Sequence, residues 1–156
     1  MDQKQLYSVE PLGDSAMLIS FGNEINETIN IKVLAIFSQL KKAAIKGVRD
    51  IVPAYCSLAI YYDPITVPGD ISAYEYFSGQ IKSILYMQDE LSQELSEKIR
   101  VPVCYADKYG LDIRSLAVAK NITADDVIKI HTGKTYRVYM IGFLPGFAYM
   151  GEVDER

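Results

Sequence analysis

The sequence predicts an α/β chain of the α+β kind: a ferredoxin-like plait over residues 1–105, followed by the start of a second domain over residues 106–156. Three observations predict it. From residue 16 onward the apolar spacing gives strand, helix, strand, strand, helix, strand, the split βαβ order with one extra strand ahead of it. Each helical stretch carries a single apolar stripe, so both can cover one face of a four-stranded sheet. Residues 106–156 hold only two short helices and one or two strands, which cannot close a sheet or bury both its faces.

The elements follow in order. Residues 6–10 and 16–21 read as short strands around the turn sequence Pro11-Leu12-Gly13-Asp14. From about residue 24, Ile29, Val33, Ile36, Phe37, Leu40 and Ala44 recur at helical spacing, and Gly47 stands where a C-cap is expected. Lys32, Lys41, Lys42 and Lys46 fall largely off that stripe, as a solvated helix face does. Residues 48–53 and 57–62 form a hairpin pattern closed by Asp63-Pro64. A second helix begins near residue 72, with Phe77, Ile81, Ile84 and Leu85 on one face, and a polar continuation runs from Asp89 to Lys98. Ile99 to Tyr105 reads as the last strand of the plait. Beyond it, Asp112 caps a short helix that Asn121 breaks, and Thr123-Ala124-Asp125-Asp126 opens another with a capping-box pattern. Tyr136 to Phe143 reads as a strand.

Composition narrows the function. The chain has 156 residues with net charge −4, and 49% of its residues are hydrophobic. Neither half is a basic module, so nucleic acid and anionic membranes are not expected partners. The polar start Met1-Asp2-Gln3-Lys4-Gln5 opens no signal-peptide h-region, and no apolar run reaches the ~20 residues of a membrane span. Cys56 and Cys104 lack CxxC spacing and sit in apolar runs, which predicts buried, reduced thiols in a cytoplasmic protein.

Several motifs fail on their surroundings. Gly133-Lys134-Thr135 imitates the end of a phosphate-binding loop, but Ile128 stands where the leading glycine belongs and a helix replaces the preceding strand. The paired helices over 112–131 have helix-turn-helix spacing, yet the second would present Asp125 and Asp126 to phosphates. His131 is the sole histidine, so neither a Ser-His-Asp triad nor a multi-histidine metal site can form within the chain. By itself His131 also reads as a cap, because an imidazolium is favoured at a helix C-terminus.

The densest information lies in Gly142-Phe143-Leu144-Pro145-Gly146-Phe147-Ala148-Tyr149-Met150-Gly151. Pro145 fixes its own φ and extends Leu144, the glycines permit conformations closed to other residues, and three aromatic rings need cover. A core strand leaving through a Pro-Gly turn and the rim of a pocket both fit this pattern.

Taken with His131 and Tyr136-Arg137-Val138, the stretch Ile141 to Tyr149 resembles the signature of the allophanate hydrolase subunit 1 family. That family includes the B-type component of a prokaryotic ATP-dependent 5-oxoprolinase and the Kip-type inhibitor of a sporulation histidine kinase. Pro11 to Ala16, Ile51 to Leu58, Val101 to Tyr105 and Gly110-Leu111-Asp112 agree with it, so the likeness spans nearly the whole chain. Ala148 departs from it, standing where the family often has proline.

The resemblance implies that residues 106–156 begin a cyclophilin-like β-barrel whose remaining strands are missing, as in a C-terminally truncated member. It places His131 and Tyr136 as candidate catalytic residues. Gly142, Phe143, Pro145, Gly146, Phe147 and Tyr149 become candidate substrate-binding residues. It further implies a subunit that helps open the lactam of 5-oxoproline to glutamate. ATP would be used in the complex but not bound by this chain. A lactam-binding subunit and an allophanate hydrolase subunit 2-like protein would be its partners. The alternative is a Kip-type inhibitor that binds a histidine kinase. An uncovered strand at 136–143 would also invite a homodimer through residues 131–156.

Overall fold

The computed structural model describes residues 7–86, 97–151 and 153. They fall into two compact units, one within residues 1–95 and the other within 96–156.

The first unit is an antiparallel sheet covered by two helices. Its strands β1 (Ser8–Pro11), β2 (Ala16–Ser20), β3 (Val48–Pro53) and β4 (Ser57–Tyr62) lie in the order β1-β2-β4-β3. Helix α1 (Glu27–Ala43) joins β2 to β3, and α2 (Ala73–Tyr86) follows β4. The split βαβ arrangement is therefore present, with β4 inserted between β2 and β3.

Period-two alternation aims Met17, Ile19, Leu58, Ile60 and Tyr62 at the helices, where they meet Val33, Ile36 and Leu40 of α1 and Phe77, Ile81 and Leu85 of α2. Tyr62 stacks on Phe77 with ring centroids 4.6 Å apart, and its hydroxyl donates to the Ala16 carbonyl at 3.1 Å. Burial pushes the Tyr62 phenol up from its usual pKa, with smaller contributions from Tyr74 and Asp14. Asn30 is fully buried on α1, where its Nδ2 donates to the carbonyls of Ala54 and Tyr55 at 3.3 Å each. The helix is thereby tied to the β3–β4 turn.

Four expectations are corrected here. Residues 99–105 form no strand; Ile99 and Val101 are 78% and 74% exposed. β1 takes the position beside β2 that the fourth plait strand would fill, so that edge is already paired. The C-cap of α1 is Ala44 at φ 46°, because the helix ends before its apolar stripe does; Gly47, at φ 94°, instead turns the chain into β3. The thiols are not buried, since Cys56 is half-buried and Cys104 lies exposed in the unpaired segment. Most of the polar continuation expected over Asp89 to Lys98 lies outside the described residues.

The second unit holds α3 (Ile113–Lys120), α4 (Ala124–Thr132) and a two-stranded antiparallel sheet, β5 (Val138–Ile141) with β6 (Ala148–Met150). Asn121 ends α3 in the left-handed region, as its place between two helical patterns predicts. Asp112 precedes α3 without making a side-chain cap, and β5 is shorter than the strand read over Tyr136 to Phe143. No closed barrel forms among the described residues. No helix among them is long and apolar enough to cross a membrane.

Candidate functional site

Helix α4 carries the candidate histidine, and its start is fixed locally. The Thr123 hydroxyl accepts from the Asp126 N–H at 3.1 Å, while the Asp126 carboxylate accepts from the Thr123 N–H at 3.2 Å. This reciprocal pair is the capping box that the sequence suggests. The Thr123 hydroxyl also donates to that carboxylate; this bond, then the Thr123 N–H, holds the Asp126 pKa below its usual value. α3 packs against α4; Ala117 of α3 is buried, and its carbonyl accepts from the Ile122 N–H at 3.0 Å. In its last turn, α4 presents His131 to solvent.

Two tyrosines surround His131. The Tyr105 hydroxyl is hydrogen-bonded to its Nδ1, and the Tyr105 ring stands edge-on to it with centroids 5.8 Å apart. Tyr136 is the second, its ring centroid 5.4 Å from that of the imidazole and tilted 36°. Lys134 Nζ sits 6.0 Å from the Tyr136 ring centroid, bringing a positive charge to the edge of the cluster. His131 and Tyr136 are therefore brought together. Tyr105 joins them, although the sequence pattern reads it as a strand residue.

The other candidates form a separate feature, the loop between β5 and β6 together with Tyr149 of β6. The Phe147 N–H donates to the Leu144 carbonyl at 3.0 Å, closing a turn with Pro145 second and Gly146 third at φ 86°. That is the residue pattern of a type II turn. The Gly142 N–H donates to the Phe147 carbonyl at 3.1 Å and closes the loop base. Phe143 adopts φ 59°, uncommon for a bulky residue, and is 82% exposed. Phe143, Phe147 and Tyr149 stack edge to face in a chain, with centroids 5.9 and 5.0 Å apart. The loop thus presents aromatic surface instead of burying it.

Neither of two shallow recesses in this unit is lined by His131 or by the loop aromatics. One, of about 420 Å³, lies between Lys120, Asp126 and Ile130; the other, of about 310 Å³, is bordered by Tyr105, Asp107, Arg114 and Ile128. Gly133-Lys134-Thr135 follow the C-terminal end of α4, where the helix carbonyls disfavour a phosphate. These residues do not fit a nucleotide phosphate site. Among the described residues no three of His, Cys, Asp and Glu are grouped closely enough to hold a metal ion.

Residues 7–156 match the family model described as carboxyltransferase domain, subdomain C and D. The chain is 34% identical over 157 residues to the 5-oxoprolinase B-type component of Bacillus subtilis (strain 168), covering 96% of this chain and 65% of that protein. It thus spans just under two thirds of that relative's length. The crystal structure of TTHA0988 superposes with a TM-score of 0.70 at 29% identity, over 90% of this chain and 26% of that one. The crystal structure of Kluyveromyces lactis urea carboxylase shares the fold, with a TM-score of 0.59 at 14% identity over 87% of this chain and 14% of that one.

Proposed function

We propose that this chain, which belongs to the carboxyltransferase-domain family (subdomains C and D), serves as the B-type component of a 5-oxoprolinase. The observation that carries this reading is the 34% identity to a 5-oxoprolinase component of that type across 96% of the chain. Opening the unstrained lactam of 5-oxoproline to glutamate requires activation of its amide oxygen. ATP would supply that activation when bound by the complex. The segment most like a phosphate loop lies at the wrong end of a helix, so nucleotide binding is assigned to partner subunits: a lactam-binding subunit and an allophanate hydrolase subunit 2-like protein. Two free cysteines fit a cytoplasmic setting.

Within this chain, His131 and Tyr136 are the polar groups assigned to the reacting end of the ligand. An imidazole carries both a donor and an acceptor nitrogen and can orient a carbonyl or move a proton. The Phe143–Phe147–Tyr149 stack would supply the flat apolar wall of a small-molecule pocket.

The test is purification of the native complex from the organism's own cells, with glutamate release measured against added 5-oxoproline and ATP. Turnover that requires this chain and falls at least tenfold in His131→Ala supports the reading. Recovery of a histidine kinase whose autophosphorylation the chain blocks, with no turnover, overturns it in favour of a Kip-type inhibitor.

A further inference from the structure

We infer that Tyr105 is a positioning residue for His131: its hydroxyl holds Nδ1 and so fixes the tautomer in which Nε2 carries the proton. One hydrogen bond and the chemistry of its two ends lead to this. Tyr105 Oη and His131 Nδ1 are bonded, and either could in principle supply the proton. A phenol is a good donor and a poor acceptor, because its oxygen lone pair is delocalised into the ring. A neutral imidazole nitrogen is a good acceptor. The proton therefore stays on the tyrosine, Nδ1 accepts the hydrogen bond from the hydroxyl, and the imidazole hydrogen resides on Nε2.

The surroundings reinforce this choice. Tyr136 touches the imidazole through ring contact, with centroids 5.4 Å apart, and does not compete for Nδ1. Among the described residues no hydrogen bond engages Nε2, and His131 is exposed. Tyr105 is itself anchored: it is half-buried, and the next residue begins a turn in which Tyr109 and Gly110 donate to the Ala106 carbonyl at 2.8 and 3.0 Å. The imidazole is thus offered to a ligand as an N–H donor suited to a carbonyl or carboxylate oxygen. This deepens the reading of His131 as a ligand-facing residue, and rests on it. Of the two roles open to His131, it selects orientation and polarisation of an acceptor over abstraction of a proton.

The tautomer is measurable on the full chain without any ligand or activity. His131 is the only histidine, so a long-range proton–nitrogen correlation spectrum of the uniformly ¹⁵N-labelled protein contains one imidazole pattern. It should be recorded at the alkaline plateau of a pH series, where the imidazole ¹⁵N shifts no longer change with pH and the ring is neutral. The expected wild-type result is a single Nε2–H form. Tyr105→Phe should lose that single form and give an averaged pattern, while Tyr136→Phe should keep it. An Nδ1–H form in the wild type, or a pattern unchanged in Tyr105→Phe, overturns the inference. The wild-type spectrum decides alone if the variant fails to fold. Loss of turnover in His131→Ala is a separate result, so failure of the 5-oxoprolinase reading is told apart from failure of this one.

Discussion

Gly47 offers the most quantitative test of the first unit. Its φ of 94° lies outside the range of residues with a side chain, and an added Cβ would meet Thr66 Oγ1 at 2.3 Å and Phe77 Cζ at 2.8 Å. Neither obstacle can yield easily. The Thr66 hydroxyl donates to the Asp63 carbonyl at 2.7 Å, and Phe77 is fully buried between Tyr62 and Tyr76. The backbone is held too, since the Gly47 carbonyl accepts from the Asp63 N–H at 2.8 Å. Gly47→Ala therefore adds left-handed strain of about 1–2 kcal/mol to overpacking of about 1–3 kcal/mol, a loss of about 2–5 kcal/mol. Gly13 supplies the control, because its φ is 69° but nothing lies within 4 Å of an added Cβ. Gly13→Ala should lose only the backbone part, about 1–2 kcal/mol. The assay is a urea titration of the ¹⁵N-labelled chain read from the amide signals of β2 and β4, which report this unit alone. Equal losses in the two variants would refute the steric argument, because the difference between them is the contact with Thr66 and Phe77.

Three further outcomes follow from the geometry. Tyr62→Phe should cost about 0.5–1.5 kcal/mol and no more, because the Ala16 carbonyl keeps a second bond from the Leu12 N–H at 2.9 Å; the same urea assay reads it. Asp126 has a lowered pKa in the fold, so its capping contribution is complete above the unfolded carboxylate value of about 3.9 and is lost as pH falls through the lower folded value. The amide signals of Thr123 and Asp126 should shift together over that range in the wild type and not in Asp126→Asn. The isolated chain should associate as concentration rises, because among the described residues β5 pairs only with β6 and Ile141 beside the loop is 67% exposed. Sedimentation should give a larger species that Ile141→Lys abolishes, and a monomer at every concentration would contradict the edge-pairing argument.

The parts of this fold legible in the sequence are those with a local cause. Met17, Ile19, Leu58 and Ile60 alternate, Val33, Ile36 and Leu40 recur at helical spacing, and each set lands in one core. Thr123 with Asp126, and Pro145 with Gly146, encode a helix start and a turn within a few residues. The illegible parts depend on distant partners. Residues 99–105 have the apolar character of a strand, but the plait position beside β2 that such a strand would fill is already taken by β1. Asn30 breaks the rule that amides stay wet, since the carbonyls that accept from its Nδ2 lie 24 and 25 residues away. Likewise His131 and Tyr136 are close in sequence and could be paired by eye. Tyr105 lies 26 residues from the histidine and shows no pattern linking them.

Phe143 places two demands on one residue. Its left-handed backbone suits glycine or asparagine, and an exposed phenylalanine gains little burial to offset the strain. A search for stabilising substitutions scored on folding alone would replace it early. The hairpin would then gain stability while losing the first ring of its aromatic stack. Libraries screened for thermal tolerance and libraries screened for ligand binding should therefore diverge at this position, and residue 143 would separate sequences shaped by durability from those shaped by use.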